Sequence, residues 1–388
     1  MLLWKEGKEK HYRMFINFVL LTEKIRMRKD KRGKEVTMRN IKDFFIASLL
    51  GGAIGDALGY TVEFMTLDKI KSKFGERGIT ELKLDKVTGK ALISDDTQMT
   101  LFTADGMVWA YQRCSERGIG SYAGSGIYQS YLRWYYTQTG RALTDNDKFW
   151  LGRQPHEERN SILDYKELFS KRAPGHSCLM ALGSGEMGTV EQPINNSKGC
   201  GGVMRIAPVG LFLHREPEYA FRTGAEVAAI THGHPTGYLA AGALAVIIAE
   251  LINGKSVIES TMTAIDVLKM HKGCEETLNA IEKAIELAKD NENPQRAIQK
   301  LGEGWIAEEA LAIALYCALK TSAVKEALIM SVNHDGDSDS TGAICGNILG
   351  ATYGIAALPK EWISNLELKD LITDMGSKLF DMSDQRAF

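Results

Sequence analysis

The chain has 388 residues, of which 44% are hydrophobic and 25% are charged. These proportions are ordinary for a soluble globular protein, and they exclude a disordered chain, a collagen and a coiled-coil rod. Lys and Arg number 47 and Asp and Glu number 49, which gives a formal net charge of −2. Such a balance offers no argument for nucleic acid or an anionic membrane as partner, and we expect neither.

The six cysteines are scattered and form no CxxC pair. This usage favours reduced thiols over a disulfide framework or a zinc site, and it indicates a cytoplasmic protein.

The first 40 residues differ in charge from the rest of the chain. Residues 1–40 hold twelve Lys or Arg and five Asp or Glu, a net of +7, which leaves −9 for the remainder. We therefore predict a basic N-terminal extension over residues 1–40 and one globular domain over residues 41–388. The extension is either a solvated tail or start-site extension, or an arm that binds an acidic partner. Its apolar stretch Met14–Leu21 has no small-residue cleavage site after it, so a signal peptide is not expected.

Glycines at intervals of four mark the beginning and the end of the globular part. Gly51, Gly55 and Gly59 form one such series, and Gly346, Gly350 and Gly354 form another. Glycines at this spacing give a helix a stripe without side chains, which allows a second backbone to approach closely. Because an acidic cluster lies near each series, we expect the two ends of the domain to meet at a crowded centre.

Helical periodicity dominates from residue 41 onward. The stretch Leu239–Leu251 is apolar nearly all round and is too short for a membrane span, so we predict a buried central helix. Glu275–Asp290 has apolar residues at spacings of 3 and 4, and Glu308–Lys320 and Ala323–Ser331 repeat the pattern. The strand candidates are 78–84 and 90–93, and residues 113–191 are irregular enough to form loops over a site. The fold class predicted is a single large all-α domain.

The first acidic cluster is Ser94-Asp95-Asp96-Thr97, which stands directly before an apolar helical run. Helix N-capping would explain one of these residues but not two carboxylates flanked by two hydroxyls. We therefore interpret the cluster as part of a metal site.

The second acidic cluster contains Asp335, Asp337 and Asp339, spaced like the opening of a calcium-binding EF-hand loop. An EF-hand is excluded because Ser340 stands where that loop requires Gly and Gly346 stands where it requires Glu. Dense oxygen ligands of this kind suit Mg²⁺, Mn²⁺ or Ca²⁺. The two clusters are interpreted as two halves of one metal site.

Six motifs, in this order, resemble the ADP-ribosylglycohydrolase family, which includes the dinitrogenase reductase-activating glycohydrolase and the ADP-ribosylarginine hydrolases. The motifs are Gly51–Gly59, Ser94–Thr100, Lys198–Arg205, Thr231–Pro235, Gly302–Ala310 and Gly336–Gly342. The resemblance implies an all-α fold with a central two-metal site that holds two Mg²⁺ or Mn²⁺ ions. It also implies hydrolysis of the bond between ADP-ribose and a modified protein side chain, and the Asp-Ser-Asp-Ser-Thr form of the last motif favours N-linked arginine.

Site residues follow from the resemblance motif by motif. The implied metal ligands are Ser94, Asp95, Asp96, Asp337, Asp339 and Ser340. Asp96 or Asp339 would take the proton of the attacking water, and Glu63 matches an acidic position that faces the site in relatives.

The glycine run 199–202 would contribute to substrate binding, since its backbone N–H groups can hold a diphosphate. The predicted substrate contacts are Ser197, Gly199, Gly201, Gly202 and His232. A close-packed helix start remains the alternative for the glycines, and a packed core histidine the alternative for His232. Trp134-Tyr135-Tyr136 either pack in the core or stack on adenine.

Two other functions stay open at this point. One is an immunity-type protein whose N-terminal extension also blocks an ADP-ribosylating toxin, as some family members carry such an extension. The other is a catalytically silent member that binds ADP-ribose.

Overall fold

The computed structural model describes residues 28–29, 35–36, 40–118, 120–142, 151–157 and 160–386. The chain divides into two compact units, residues 1–41 and 42–388. In the first unit, strand β1 (Arg28–Lys29) pairs antiparallel with strand β2 (Glu35–Val36). The apolar stretch 14–21 lies outside the described residues. The predicted domain boundary after residue 40 stays a prediction.

The described residues of the second unit are mainly α-helical, which confirms the predicted fold class. The helices in chain order are α1 Ile41–Tyr60, α2 Leu67–Phe74, α3 Asp95–Arg117, α4 Gln129–Thr139, α5 His176–Gly183, α6 Ala207–Phe212, α7 Pro217–Ala229, α8 Pro235–Ile252, α9 Val257–Leu268, α10 Glu275–Lys289, α11 Pro294–Leu301, α12 Ala307–Lys320, α13 Val324–Val332, α14 Ser338–Tyr353, α15 Lys360–Asn365 and α16 Lys369–Gln385. A π-helix spans Tyr122–Tyr128, and 3₁₀ turns span Ile162–Asp164, Lys166–Phe169, Cys200–Gly202 and Ile355–Ala357.

Helix α8 forms the centre of the core. It packs against α6, α7, α9, α10, α12 and α14, and its residues from 239 to 252 are all buried. Its length and composition would also suit a membrane span, but 89% of the helix is buried inside the fold. The prediction of a buried central helix is therefore confirmed, and so are the helices predicted near α10, α12 and α13.

Helices α1 and α14 cross at their glycines, backbone against backbone. A Cβ atom built on Gly51 would lie 2.3 Å from the carbonyl oxygen of Gly346, and one built on Gly55 would lie 1.9 Å from that of Gly342. The pairing is antiparallel, and Gly350 faces Ala47 in the same way. The predicted meeting of the two series is thus confirmed with one correction. The second stripe begins at Gly342 and ends before Gly354, which has a φ of +75° and terminates the helix.

Residues 78–84 and 90–93 were expected to form strands, and this expectation is wrong. Leu84 and Ala91 form an isolated bridge across a turn, and Ala91 forms a second one with Leu366. The turn stays local because the carboxylate of Asp85 accepts the N–H groups of Val87 and Thr88 at 3.0 and 2.9 Å. These bridges anchor the segment that leads into the first acidic cluster.

Candidate metal and substrate site

The two acidic clusters line one cleft of about 280 Å³. Three chain segments meet there: the turn after α1, the beginning of α3 and the beginning of α14. The cleft is lined by the carboxyl groups of Glu63, Asp95, Asp96, Asp337 and Asp339. The structure therefore brings together residues that are more than 200 positions apart in the chain.

The beginning of α3 fixes Asp95 and Asp96. Ser94 is the N-cap residue, and its hydroxyl accepts the N–H of Asp96 at 3.2 Å. Asp95 Oδ2 accepts the N–H of Gly175 at 3.0 Å. Asp96 Oδ2 is buried and has no hydrogen-bond partner. The N-terminal end of a helix favours negative charge. No N–H group of the helix donates to Asp96 Oδ2, however, so this oxygen remains a free acceptor in the cleft.

Asp56 supports this turn from behind, and sequence reasoning missed its role. Its carboxylate accepts the N–H of Ser94 at 3.0 Å with both oxygens, and Oδ2 also accepts the N–H of Thr97 at 3.1 Å. Burial raises the pKa of Asp56 to about 6 although these hydrogen bonds lower it. A carboxylate inside the apolar, glycine-rich α1 was the signal available in the sequence.

The beginning of α14 presents the second cluster. Asp337 is the N-cap residue; its Oδ1 accepts the N–H of Ser340 at 3.2 Å, and its Oδ2 accepts the thiol of Cys200 at 2.7 Å. Asp339 Oδ1 also accepts the N–H of Ser340, at 3.1 Å. Asp335 does not join them, because its Oδ1 accepts the N–H of Leu67 at 2.7 Å and the residue does not line the cleft.

Electrostatic repulsion links the two halves of the site. Besides burial, the charges of Asp95, Asp56 and Asp337 raise the pKa of Asp96, and those of Asp96, Asp337 and Glu63 raise the pKa of Asp339. Like charges at this range disfavour ionisation of each other unless a cation compensates them.

Burial and mutual repulsion raise the pKa values of these acids. Burial, together with the charge of neighbouring carboxylates, raises the pKa of Glu63 to about 9 and that of Asp95 to about 8. The same causes raise the pKa values of Asp96 and Asp339 well above the usual range. No Lys or Arg occurs among the described residues that line the cleft. Among these lining residues the carboxylates therefore find no Lys or Arg to compensate their charge.

The donor set fits divalent cations. Buried charge must be paired or must coordinate a metal, and the acceptors here are oxygens of the kind that Mg²⁺ and Mn²⁺ prefer. Glu63 Oε2 and Asp96 Oδ2 are both buried without a hydrogen-bond partner, so the cleft contains acceptors with no protein donor. Of the predicted ligands only Ser94 does not line the cleft.

The glycine turn forms a wall that borders the acidic cluster, because the thiol of Cys200 donates to Asp337 Oδ2 at 2.7 Å. Gly199 and Gly201 line the cleft, whereas Ser197 and Gly202 do not. The hydroxyl of Ser197 accepts the N–H of Gly199 at 3.3 Å. Gly201 is the second residue of a 3₁₀ turn, where N–H groups lack partners within the helix. Of the two glycines that line the cleft, Gly201 is therefore the better candidate for a diphosphate contact, because the N–H of Gly199 already donates to Ser197.

For Gly202, close packing explains the glycine better than a diphosphate contact does. A Cβ built there would lie 3.1 Å from the Cβ of Ala228 and 3.4 Å from the carbonyl oxygen of Gly237. The predicted substrate contacts of Gly202 and Ser197 and the predicted metal ligation by Ser94 stay predictions. None of these three residues lines the cleft.

His232 lies in this wall, 2% exposed. Its Nδ1 shares a hydrogen bond of 2.8 Å with the hydroxyl of Thr231, which accepts the guanidinium of Arg205 at 2.8 Å. Nε2 faces the glycines, 3.4 Å from a Cβ built on Gly199. Burial and the charge of Arg205 lower the pKa of His232 to about 3, so the ring is neutral at physiological pH.

The irregular region forms the remaining wall, as expected. Residues 173–178 line the cleft. Trp134 does not, because it is fully buried and donates its indole N–H to Gln98 at 3.1 Å, so core packing is the correct interpretation of that aromatic residue. The aromatic side chains that do line the cleft are Phe64 and Trp305, which the sequence did not single out.

A second buried group with metal-ligand spacing consists of Asp105, His156 and Glu157. Arg133 lies between the two carboxylates, 3.0 Å from Asp105 and 2.8 Å from Glu157. Burial alone would raise the pKa of Asp105, but the charges of Arg133 and His156 hold it well below its usual range. Because the guanidinium already supplies the compensating charge, we interpret this group as a structural ion-pair network.

Comparisons with known proteins agree with the geometry. The family model described as ADP-ribosylglycohydrolase matches residues 37–387. The chain is 25% identical over 346 residues to the ADP-ribosyl-dinitrogen reductase glycohydrolase of Rhodospirillum rubrum, covering 86% of this chain and 94% of that protein. It is 23% identical over 342 residues to the ADP-ribosylarginine hydrolase Tri1 of Serratia proteamaculans, covering 88% and 80%.

A solved structure, described as an ADP-ribosylglycohydrolase-related protein complex, has the same fold. It aligns with a TM-score of 0.60 and 22% identity over 89% of this chain and 100% of its own.

Proposed function

Since the chain belongs to the ADP-ribosylglycohydrolase family, we propose that it is a metal-dependent hydrolase that removes ADP-ribose from modified protein side chains, with N-linked arginine as its preferred linkage. Support comes from the relatives named as ADP-ribosyl hydrolases, one of them for ADP-ribosylarginine. The observation that carries the proposal is the convergence of five carboxyl groups in one cleft without a Lys or Arg among its described lining residues.

Two Mg²⁺ or Mn²⁺ ions would be held by Asp95, Asp96, Asp337 and Asp339, with Ser340 as a further ligand. Such ions, when bound, would act as a template that holds the ribose hydroxyl groups and orients the sugar for reaction. Ser94 would contribute chiefly by capping α3, since its hydroxyl already accepts the N–H of Asp96.

The chain's own acids supply the proton transfers. Hydrolysis forms a bond between a water oxygen and the anomeric carbon and breaks the bond from that carbon to the guanidine nitrogen. Asp96 or Asp339 takes the proton that the water loses. The guanidine nitrogen gains a proton where its bond to the anomeric carbon was, and the guanidine leaves. Glu63, which lines the same cleft, is a third acid available for this exchange.

Substrate phosphates would bind at the glycine turn and not at the carboxylates, which would repel them. The N–H of Gly201 and the neutral ring of His232 are the donors available there, and Gly199 shapes the surface beside them. The ADP-ribose would thus run from the acidic cluster toward the glycine turn.

The two other functions have less support. A catalytically silent protein would not need the full set of acidic ligands, all of which line the cleft. No comparison supports a toxin partner, and the N-terminal extension lies mostly outside the described residues.

The direct test is hydrolysis of two peptides, one ADP-ribosylated on arginine and one on serine, with Mg²⁺ or with excess chelator. We expect release of ADP-ribose from the arginine peptide, dependence on Mg²⁺ and a slower reaction with serine. Asp339→Asn should abolish release, whereas Asp374→Asn, at an exposed position on α16, serves as the matched control. Full turnover in excess chelator would contradict the proposal, and preference for serine would overturn the linkage.

A further inference from the structure

A largely buried ion pair joins two segments that lie next to the first half of the acidic cluster. Arg172 lies in the segment before α5, and Glu367 lies between α15 and α16. Nη2 of Arg172 donates to Oε1 of Glu367 at 2.9 Å, and Nη1 donates to Oε2, so the pair is bidentate. The side chains are 11% and 4% exposed. Bidentate geometry at low exposure makes such a pair stronger and more directional than an ion pair at the surface.

The pair binds both polar backbone groups of Ile93. Arg172 Nη1 donates to the carbonyl oxygen of Ile93 at 3.0 Å, and Glu367 Oε2 accepts the N–H of Ile93 at 3.3 Å. The backbone of Glu367 extends this contact, because its N–H donates to the carbonyl oxygen of Ala91 at 3.0 Å. The chain is therefore fixed by one ion pair two residues before Asp95.

The main chain beside Arg172 holds Asp95 itself. The carbonyl oxygen of Arg172 accepts the N–H of Asp95 at 3.1 Å. Three residues further on, the N–H of Gly175 donates to Oδ2 of Asp95 at 3.0 Å, and residues 173–175 line the cleft. The backbone and the carboxylate of Asp95 are thus both bound by the segment that Arg172 anchors.

The backbone is strained next to each member of the pair. Among the described residues, two that are not glycine have a positive φ, namely Ala173 at +50° and Leu368 at +53°. Ala173 directly follows Arg172, and Leu368 directly follows Glu367. Residues with a Cβ disfavour this conformation, which persists only where surrounding contacts enforce it and is concentrated at functional sites. Because each strained residue is joined to a member of the pair, the pair is a contact that can enforce both conformations.

A purely structural ion pair is the competing explanation, because ion pairs also join segments far from any site. Lys255 and Glu250 are an example, with Nζ and Oε2 3.1 Å apart and neither residue lining the cleft. The pair of Arg172 and Glu367 differs in what it holds, since its hydrogen bonds end on the residues that lead into α3. A structural pair would change the unfolding of the whole domain, whereas a positioning pair would change the cleft locally.

We infer that Arg172 and Glu367 are positioning residues, which hold the carboxylate of Asp95 in the orientation that a divalent cation requires. They act through Asp95, since neither of them lines the cleft. Residues that orient a metal ligand affect metal affinity strongly even though they do not touch the ion. The inference rests on the proposed function for its ion, but the hold on Asp95 can be measured without metal or substrate.

The first test is isothermal titration of the metal-free, full-length protein with Mn²⁺. Glu367→Gln and Arg172→Met should each raise the Kd of one Mn²⁺ ion about tenfold, the scale of a lost partner of a metal ligand. Glu250→Gln is the matched control and should bind as the wild type does, since Glu250 is 6% exposed and Glu367 is 4% exposed. Glu367→Gln keeps the size of the side chain, so it tests the pair even if Arg172→Met does not fold. Equal Kd values in the wild type and the folded variants would overturn the positioning role.

Hydrogen exchange of the metal-free protein, followed by mass spectrometry, depends on neither the ion nor hydrolysis. In both variants the amides of Asp95 and Gly175 should exchange about tenfold faster, the order expected when a hydrogen bond between charged groups is lost. The amides of α8 should keep the wild-type rate. If the wild-type protein binds no Mn²⁺ but the variants show this local increase, the proposed function fails and the positioning role stands. Unchanged exchange at Asp95 and Gly175, or an equal increase throughout the domain, would overturn the role and leave a structural ion pair.

Discussion

Gly55 and Gly342 meet backbone to backbone, so closely that a Cβ on Gly55 would lie 1.9 Å from the carbonyl oxygen of Gly342. About two turns further along the same crossing, Ser48 and Asn347 exchange hydrogen bonds between their side chains and backbones, at 3.0 and 2.8 Å. The crossing of α1 and α14 at this distance sets Glu63 opposite Asp339, and it thereby assembles the acidic cluster from the two ends of the domain.

Gly55→Ala should consequently destabilise the protein, although alanine is the better helix former by about 1 kcal/mol. The added methyl group would force the two helices apart, and overpacking of this kind costs about 1–3 kcal/mol or more. Gly140→Ala is the control, because a Cβ there meets nothing within 4 Å and tests only the cost of its φ of +69°. Urea denaturation measures both. A Gly55→Ala protein more stable than the wild type would contradict the close crossing.

Asp96→Asn and Asp339→Asn should each lower kcat/KM for ADP-ribosyl-arginine by at least about a hundredfold, the scale of a lost general base. The fold should persist, since both side chains lie at the surface of the cleft and not in the apolar core. Activity assays and circular dichroism measure the two effects, with Asp374→Asn as control. A variant that keeps the wild-type rate removes its residue from the proposed chemistry.

His232 should make the stability of the protein depend on pH. Its pKa is about 3 in the folded chain, where burial and Arg205 lower it, and about 6.5 in an unfolded chain. Between these values only the unfolded state binds the proton, so stability is fully present above pH 6.5 and falls as pH falls toward 3. The slope is about 1.4 kcal/mol per pH unit.

The measurement is urea denaturation from pH 7 to pH 4 for the wild type, His232→Gln and the control His271→Gln, whose histidine is less buried. The His232→Gln protein should lose less stability over this range than the other two. Equal slopes for all three would show that His232 is protonated in the folded state.

Deletion of residues 1–37 should leave hydrolysis of ADP-ribosyl-arginine within about twofold of the full chain, since a separate extension contributes little to a domain's stability. The match to the family begins at residue 37, and the second compact unit begins at Lys42. Hydrolysis and thermal unfolding of the two chains, measured side by side, test this boundary. An unfolded or inactive truncated chain would make the extension part of the domain.

The sequence was sufficient where the controlling physics is local. Apolar spacing located α8, α10, α12 and α13, because a helix buries one face and its period is visible in a single stretch of chain. Paired carboxylates at the start of two helices indicated the acidic cluster for a similar reason, since adjacent like charges are rarely placed there without a ligand.

What the sequence could not provide depends on contacts between distant segments. Spacing alone did not show that Gly342 takes part in the crossing and Gly354 does not, because only the partner helix decides which glycines are needed. The pairing of Arg172 with Glu367 and the support of Ser94 by Asp56 were hidden for the same reason. The sequence around each of these residues gives no sign of its role, which depends on a neighbour from a distant segment.

Binding of Mn²⁺ to the purified metal-free protein tests the central claim most directly, because it addresses the acidic cluster without a substrate. Isothermal titration of the wild type should show about two ions per chain, the number used by two-metal hydrolytic sites. Asp339→Asn should lose at least one of them, and Asp374→Asn should bind as the wild type does. Absence of saturable Mn²⁺ binding, or equal binding by Asp339→Asn, would contradict a metal site at Asp95, Asp96, Asp337 and Asp339.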